Sequence, residues 1–500
     1  MLYYNCKNII IERKLIVNEI SLKKLFTYNN NVYHIGEKFK SLERSFLKSS
    51  SKTKTSAVTG AKLIMASCLC GHKSINELIS TIHNKEISFK NLFDRKEYIP
   101  KMHGLRDCIS NTDYKQIEEI NYSVIEKAKE NKIFKKNLVD GLMVVAHDGV
   151  EICETNKNIT NLPEREHKDG NINKYIKYLC SMNIGPEVNL VLMTKQMTER
   201  EKVLTESGKK KAKTIGETTA YLEMLPFLNK LVGRNIDVNV FDALYLNCNV
   251  MNEIDKNNQY FVIRMEDKTR HIYKDAEGLF KESKPIEEYE LVEITRKIKV
   301  KYSKEAKHKD YEKAKKKIEK RKITDKPIGE NIFIKKEISN KKNSIKTTEI
   351  YEKVIRKIQV WDETGFEYSN YKNKLRIIRS IENYKSDNKI KTQEVYIATN
   401  MLEHERSTII KIMHLRWNIE NCGFRKLKQQ YKLDHIFIGD FNSINYIFQM
   451  IILVNNLLEL YLKIRLKEVI ELTYVMINKI FEKQIQNIVD IGKIMLGVSG

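Results

Sequence analysis

No stretch of this chain reaches the roughly eighteen uncharged apolar residues that a membrane-spanning helix needs. The nearest, YIFQMIILVNNLLELYL, is interrupted by Asn455 and Asn456 and ends in charges, so no membrane association is expected. The opening residues, MLYYNCKNIIIERK, lack the order of basic start, apolar middle and small-residue cleavage site, so export is not expected and a cytoplasmic location is. Cysteine is sparse and scattered. Its 8 residues form no disulfide framework, and reduced thiols are the expectation. The one tight group, Cys68, Cys70 and His72 in CLCGH, lacks the second pair that a zinc site needs, and small buried thiols are its ordinary reading. Acidic residues are also short: 65 Asp+Glu stand against 89 Lys+Arg, a net charge of +24. A chain this basic repels itself unless it meets a polyanion, and nucleic acid is the first candidate. Abundant Lys, Asn and Ile also follow from an A+T-rich coding sequence, so charge by itself does not decide.

At 500 residues the chain is too long for one hydrophobic core, and two to four domains are expected. The part before about residue 136 reads as helical, with apolar residues at helical spacing in AVTGAKLIMASCLC and YKQIEEINYSVIEKAKENK. From Leu138 the texture becomes strand-like in LMVVAHD, KYIKYLCSM and VNLVLMTKQM. A helix then follows in GETTAYLEMLPFLNKLVG, with Gly233 as its stop, and another strand in IDVNVFDALY. Residues 265–398 read as a charged, β-rich insertion, including YEKVIRKIQVWDE, KLRIIRSI and EVYIAT. The insertion also carries the basic run RKIKVKYSKEAKHKDYEKAKKKIEKRK, which reads as a solvated helix or loop, or as a phosphate-contacting surface through Lys315, Lys316 and Lys317. Residues 399–500 return to helical periodicity. The fold class is thus α/β: a mixed-sheet core over 137–264, interrupted by the insertion and resumed after it, with helical N- and C-terminal regions.

Asp148 follows a buried apolar run and should project from the C-terminal end of its strand. Asp242 repeats the arrangement in DVNVFDALY. An Asp at a strand end is ordinarily a turn or cap residue. Two of them on neighbouring strands, however, repel each other and call for a hard cation between them. In HLRWNIENCGFRKLKQQYKLDH a helix expected to bury Trp417, Ile419 and Phe424 also places Arg416 and Glu420 one turn apart. Such a pair is ordinary on any helix surface. Next to the two aspartates, Glu420 can instead complete a two-metal site, and Arg416 can grip the phosphate.

HDGVEICE, FDALY and RWNIEN-C-GFRKLK together resemble the three acidic motifs of DDE transposases of bacterial insertion sequences, in the branch with a β-strand insertion before the catalytic glutamate. The resemblance covers roughly residues 140–460. It implies an RNase H-like core, catalytic and metal-binding roles for Asp148, Asp242 and Glu420, and phosphate contact by Arg416. Two Mg²⁺ ions, replaceable by Mn²⁺, would serve strand cleavage at transposon ends and transfer of the 3′-hydroxyl into target DNA. The implied partners are the terminal inverted repeats, target duplex DNA and a second copy of the chain in a synaptic dimer, in a nucleoid-associated bacterial setting. The helical region 1–136 is the natural candidate for end recognition.

The family pattern has a tyrosine three residues before the arginine, where this chain has Met413, and a lysine seven after the glutamate, where it has Leu427. Lys428 comes one residue later, and a π-like bulge at Gly423 would turn it back to the active face. Trp361 in the insertion is the candidate to hold a flipped base; a core position is its alternative. Glu217 at a helix start is explained by the helix dipole or as an auxiliary acid. His147 reads as a satisfied core histidine, and Asp434 and His435 as caps or core hydrogen-bonding groups. Two rivals remain: an RNase H-like structure-specific nuclease without strand transfer, and a decayed transposase that only binds DNA.

Overall fold

The computed structural model describes residues 22–43, 55–84, 100–197, 203–204, 210–211, 215–303, 331–334, 345–386, 389–433, 438–466 and 474–487, apart from positions 73, 158, 160–161 and 234–235. Lys315, Lys316, Lys317, Asp434 and His435 lie outside the described residues. The described chain forms two compact units, one built from Arg264–Arg406 and the other from the segments before and after it.

The larger unit is α/β with a mixed sheet. Its main strands are β1 (Val144–Thr155), β2 (Ile172–Ile184), β3 (Leu190–Gln196), β4 (Val238–Phe241) and β5 (Tyr260–Met265). β1 pairs antiparallel with β2, and β2 with β3. β4 lies parallel to β1 on its other side, and β5 parallel to β4. The sheet order is therefore 3-2-1-4-5. Val144, Val145 and Ala146, like all four residues of β4, are buried, as a strand covered on both faces requires.

Helices cover the sheet. α1 (Ala57–Cys70) starts where the Ser56 hydroxyl accepts from the Thr59 N–H and stops at Gly71, whose φ of 70° is the left-handed cap that glycine adopts cheaply. α2 (Tyr114–Glu130), α3 (Glu217–Val232) and α4 (Cys248–Lys256) are further helices of the part before the insertion, with others at Leu22–Tyr33, Ile35–Lys40, Ile75–Asn84 and Met102–Ser110. Cys68, Cys70 and His72 are all buried at the end of α1, and burial pushes the Cys68 thiol up to about 12, so it stays protonated.

After the insertion come α5 (Arg406–Asn418), α6 (Arg425–Tyr431) and α7 (Phe441–Glu459). Phe441–Arg465 is the one described helical segment long and apolar enough to cross a membrane, and 89% of its apolar window is buried inside this unit. Its polar residues explain the interruption seen in the sequence. Asn456 accepts from the Val191 N–H at 3.0 Å and donates to the Val191 carbonyl at 2.7 Å, while Tyr178 donates to Asn445 at 2.5 Å. These amides key the helix to β2 and β3, because a buried polar group left unpaired would cost more than it contributes.

The unit built on Arg264–Arg406 contains a helix, His271–Glu282, and an antiparallel sheet of β6 (Glu287–Ser303), β7 (Ile345–Phe366), β8 (Leu375–Ser386) and β9 (Lys389–Thr399). β7 is central, pairing with β6 on one side and β8 on the other. The start of the basic run, residues 296–303, is strand rather than helix or loop, because it pairs in register with residues 345–352. Trp361 is only 7% exposed, gives its indole N–H to the Ser283 carbonyl at 2.9 Å and carries the Arg379 guanidinium over its ring at 4.5 Å. Of the two readings of Trp361, the core position is the one seen here: its donor is satisfied and a ring face is covered.

Candidate functional site

Asp148 does not end its strand, contrary to expectation. β1 runs on to Thr155 because β2 continues to pair with it, whereas the parallel pairing with β4 stops at Ala146. Asp148 therefore sits just beyond the parallel part of the sheet, where burial relaxes. Asp242 follows β4 directly, and one carboxylate oxygen accepts the Leu244 N–H at 3.0 Å, so it is a cap as well as a site candidate. Because β1 and β4 are adjacent and parallel, both aspartates emerge at the same end of the sheet.

Their proximity has an electrostatic signature. The Asp148 carboxyl is pushed up to about 7, first by burial, then by the negative charges of Asp242 and Glu217; the Gly149 N–H and Arg416 pull the other way. Tyr245 feels the same three carboxylates and donates to Glu217 at 3.3 Å.

Side-chain alternation sets which face each group occupies. Asp148 stands opposite Cys180, on the face where Tyr178 meets α7 and Met182 meets Gly423. That face carries the helical run Arg406–Tyr431, which is anchored at its start by Asp140: Thr408 donates to Asp140 at 3.0 Å and Lys411 at 2.5 Å. Within the run, Ile419–Phe424 is a π-helical turn, the bulge expected at Gly423. A Cβ on Gly423 would meet Met182 Cε at 2.8 Å, so glycine here also lets the helix approach β2 closely. One extra residue in the turn rotates the remainder of the helix by about 100°, which brings Lys428 roughly to the bearing from Glu420 that residue 427 would hold on a regular helix. Leu427 is accordingly fully buried and Lys428 half-buried. Trp417 departs from expectation. Ile419 and Phe424 are buried, but Trp417 is 44% exposed, because it precedes the π turn on the side away from the apolar stripe.

Arg416 donates to Glu420 at 3.0 Å, and its side chain is buried while that of Glu420 is 43% exposed. Its Nε is buried with no hydrogen-bond partner. Such an orphaned donor on a buried cation is costly unless an anion arrives to take it.

No family model and no curated protein matches the chain. What the site can do therefore rests on its own residues.

Glu217 is the acid that sequence reasoning underweighted. It begins α3, but its carboxylate serves more than the helix dipole: Lys177 donates to it at 2.6 Å, and a Cβ on Gly149 would lie 2.5 Å from its Oε1. Gly149 is what admits Glu217 beside Asp148. Lys177 carried no sequence signal at all, since a lysine in a strand is unremarked until the fold sets it beside a site. His147 is fully buried, with Nδ1 2.7 Å from Ser181 Oγ and Nε2 3.0 Å from Asn239 Oδ1, and burial pushes it down to about 3. It is a neutral core histidine.

Among the described residues no three His, Cys, Asp or Glu side chains are gathered to hold a metal ion. Glu420 is turned to Arg416 and Glu217 to Lys177. The donor chemistry nonetheless fits a hard divalent cation: the available ligands are all carboxylate oxygens, and the Asp148 carboxyl, raised first by burial and then by the charges of Asp242 and Glu217, is one that such a cation would hold ionised.

Proposed function

We propose that this chain is a DDE-type DNA transposase that cleaves strands at transposon ends and joins the 3′-hydroxyl to target DNA, with an RNase H-like catalytic core. The observation that carries this reading is the juxtaposition of Asp148 and Asp242 at the same end of adjacent parallel strands, with Arg416 close enough to act on Asp148 and hydrogen-bonded to Glu420. The mixed sheet order 3-2-1-4-5 is compatible with such a core. Asp148 and Asp242, joined by Glu420, would hold two Mg²⁺ ions, which Mn²⁺ can replace; when bound, these supply Lewis-acid charge to the attacking and leaving oxygens of a phosphodiester. Arg416 moves its guanidinium from Glu420 to the phosphate, which satisfies the orphaned Nε and frees the Glu420 carboxylate. Lys428 contributes a further DNA contact on the same helix. The net charge of +24 gives duplex DNA its sequence-independent affinity. Because two transposon ends must be held together, the working form is a homodimer, in the cytoplasm at the nucleoid.

The test is incubation of the full chain with Mg²⁺, duplexes carrying the sequences that flank its gene, and target DNA. Cleaved ends joined through their 3′-hydroxyls to target support the reading. Cleavage without joining would make the chain a nuclease, and binding without either would make it a decayed DNA-binding derivative.

A further inference from the structure

Two cations flank the strand at Asp148 and Gly149, Arg416 acting on Asp148 and Lys177 lying against Gly149, and each is held by a glutamate of the chain itself. Arg416 is bound to Glu420 on the face that carries α5. Lys177 projects from β2 to the other face, since it lies one residue before Tyr178, and it is bound to Glu217 at 2.6 Å. Its side chain is 32% exposed, while that of Glu217 is only 11% exposed. Gly149, the residue after Asp148, lies directly beneath this pair: a Cβ there would stand 2.9 Å from Lys177 Cε and 2.5 Å from Glu217 Oε1. An ammonium that solvent reaches, beside a site built for a phosphodiester, is poised to trade a carboxylate for a phosphate oxygen. The ammonium exchanges one charge-assisted hydrogen bond for another, and Glu217 keeps the Tyr245 hydroxyl as a donor at 3.3 Å.

We propose that Lys177 is a second DNA-phosphate contact of this site, on the opposite side of Asp148 from Arg416, and that Glu217 holds the place of that phosphate until DNA binds. The inference rests on the reading of the site as one that takes DNA. Lys177 is on this account a substrate-positioning residue, and Glu217 is its intramolecular competitor.

The two partners therefore have opposite effects, which a merely structural ion pair would not produce. Binding of a mixed-sequence duplex by the full-length protein is followed by fluorescence anisotropy across a salt series. Lys177→Met is expected to weaken binding and to lower the log–log salt slope by about one, the signature of a single lost phosphate contact, while Lys177→Arg retains the slope. Glu217→Gln is expected to tighten binding at every salt concentration, because the competing charge is gone. Thermal unfolding of each variant is recorded alongside, and should Lys177→Met not fold, the isosteric Glu217→Gln carries the test from the other side. An unchanged slope in Lys177→Met, or weakened binding in Glu217→Gln, overturns the inference. Asp148→Asn separates the two levels: if it cleaves DNA normally the proposed function fails, whereas if it is inactive and Lys177→Met keeps the wild-type slope, only this inference fails.

Discussion

Arg416 and Glu420 are joined by a 3.0 Å hydrogen bond across one helical turn, with the arginine buried, the glutamate half-exposed and one guanidinium nitrogen left without a partner. A surface pair at this spacing contributes a fraction of a kcal/mol and exposes both ends. Burying the arginine with an unpartnered Nε sets this pair apart from an ordinary surface pair, and under the proposed function that Nε is the donor for the DNA phosphate.

Asp148→Asn, Asp242→Asn and Glu420→Gln are each expected to abolish Mg²⁺-dependent cleavage while duplex binding stays near wild type. Double variants should lose no more than single ones, because the three act as one unit. Near-native cleavage by any single variant would remove that residue from the site.

The raised Asp148 carboxyl predicts a pH-dependent stability. Its value is about 7 in the folded protein against an ordinary 3.8, so between these values the folded state binds the proton more tightly and stability falls as pH rises. Without divalent cations, Asp148→Asn should therefore be more stable than wild type above pH 7, by on the order of 2–4 kcal/mol. That advantage should vanish below about pH 3, where the carboxyl is neutral in both states. Thermal melts over this range check it, and a variant less stable at both ends would contradict it.

Lys426 and Lys428 should separate cleanly. Lys426 is buried and donates to Glu459 at 2.5 Å, and that carboxylate is also buried. Lys426→Ala should cost about 3 kcal/mol or more of stability by removing one partner of a buried ion pair. Lys428→Ala should leave the melting temperature unchanged and impair end binding or cleavage. Unimpaired activity in Lys428→Ala would mean that the π turn does not serve to present it.

Gly185 tests the framework of the sheet. A Cβ there would lie 2.3 Å from the Asn137 carbonyl oxygen, a backbone atom that cannot swing aside. Gly185→Ala should cost about 1–3 kcal/mol through this overpacking. A melting temperature equal to wild type would show that the loop after β2 yields more easily than its hydrogen bonds to Asn137 indicate.

Much of the candidate site was legible in the sequence because its members sit on strongly patterned elements. Asp148 and Asp242 each follow an apolar strand run, and the displaced lysine betrayed a π turn by a register argument alone. Glu217 and Lys177 were not legible as a pair, since 40 residues separate them and only the packing of α3 on the sheet brings them together. The two tryptophans were the least legible: Trp417, expected inside, is exposed, and Trp361, the candidate for holding a base, is core. A tryptophan's burial depends on what lies across from it, and no periodicity reports that.

The sequence by itself determined most of the helical and strand segments, where α3 stops, and which residue types the candidate site offers, because these come from local periodicity, capping and side-chain chemistry. Tertiary structure alone decided that β1 and β4 are neighbours, that Arg416 is buried while Glu420 is not, and that Gly149 makes room for Glu217. Those are distances between residues far apart in the chain, set by how whole elements pack, and no local pattern encodes them.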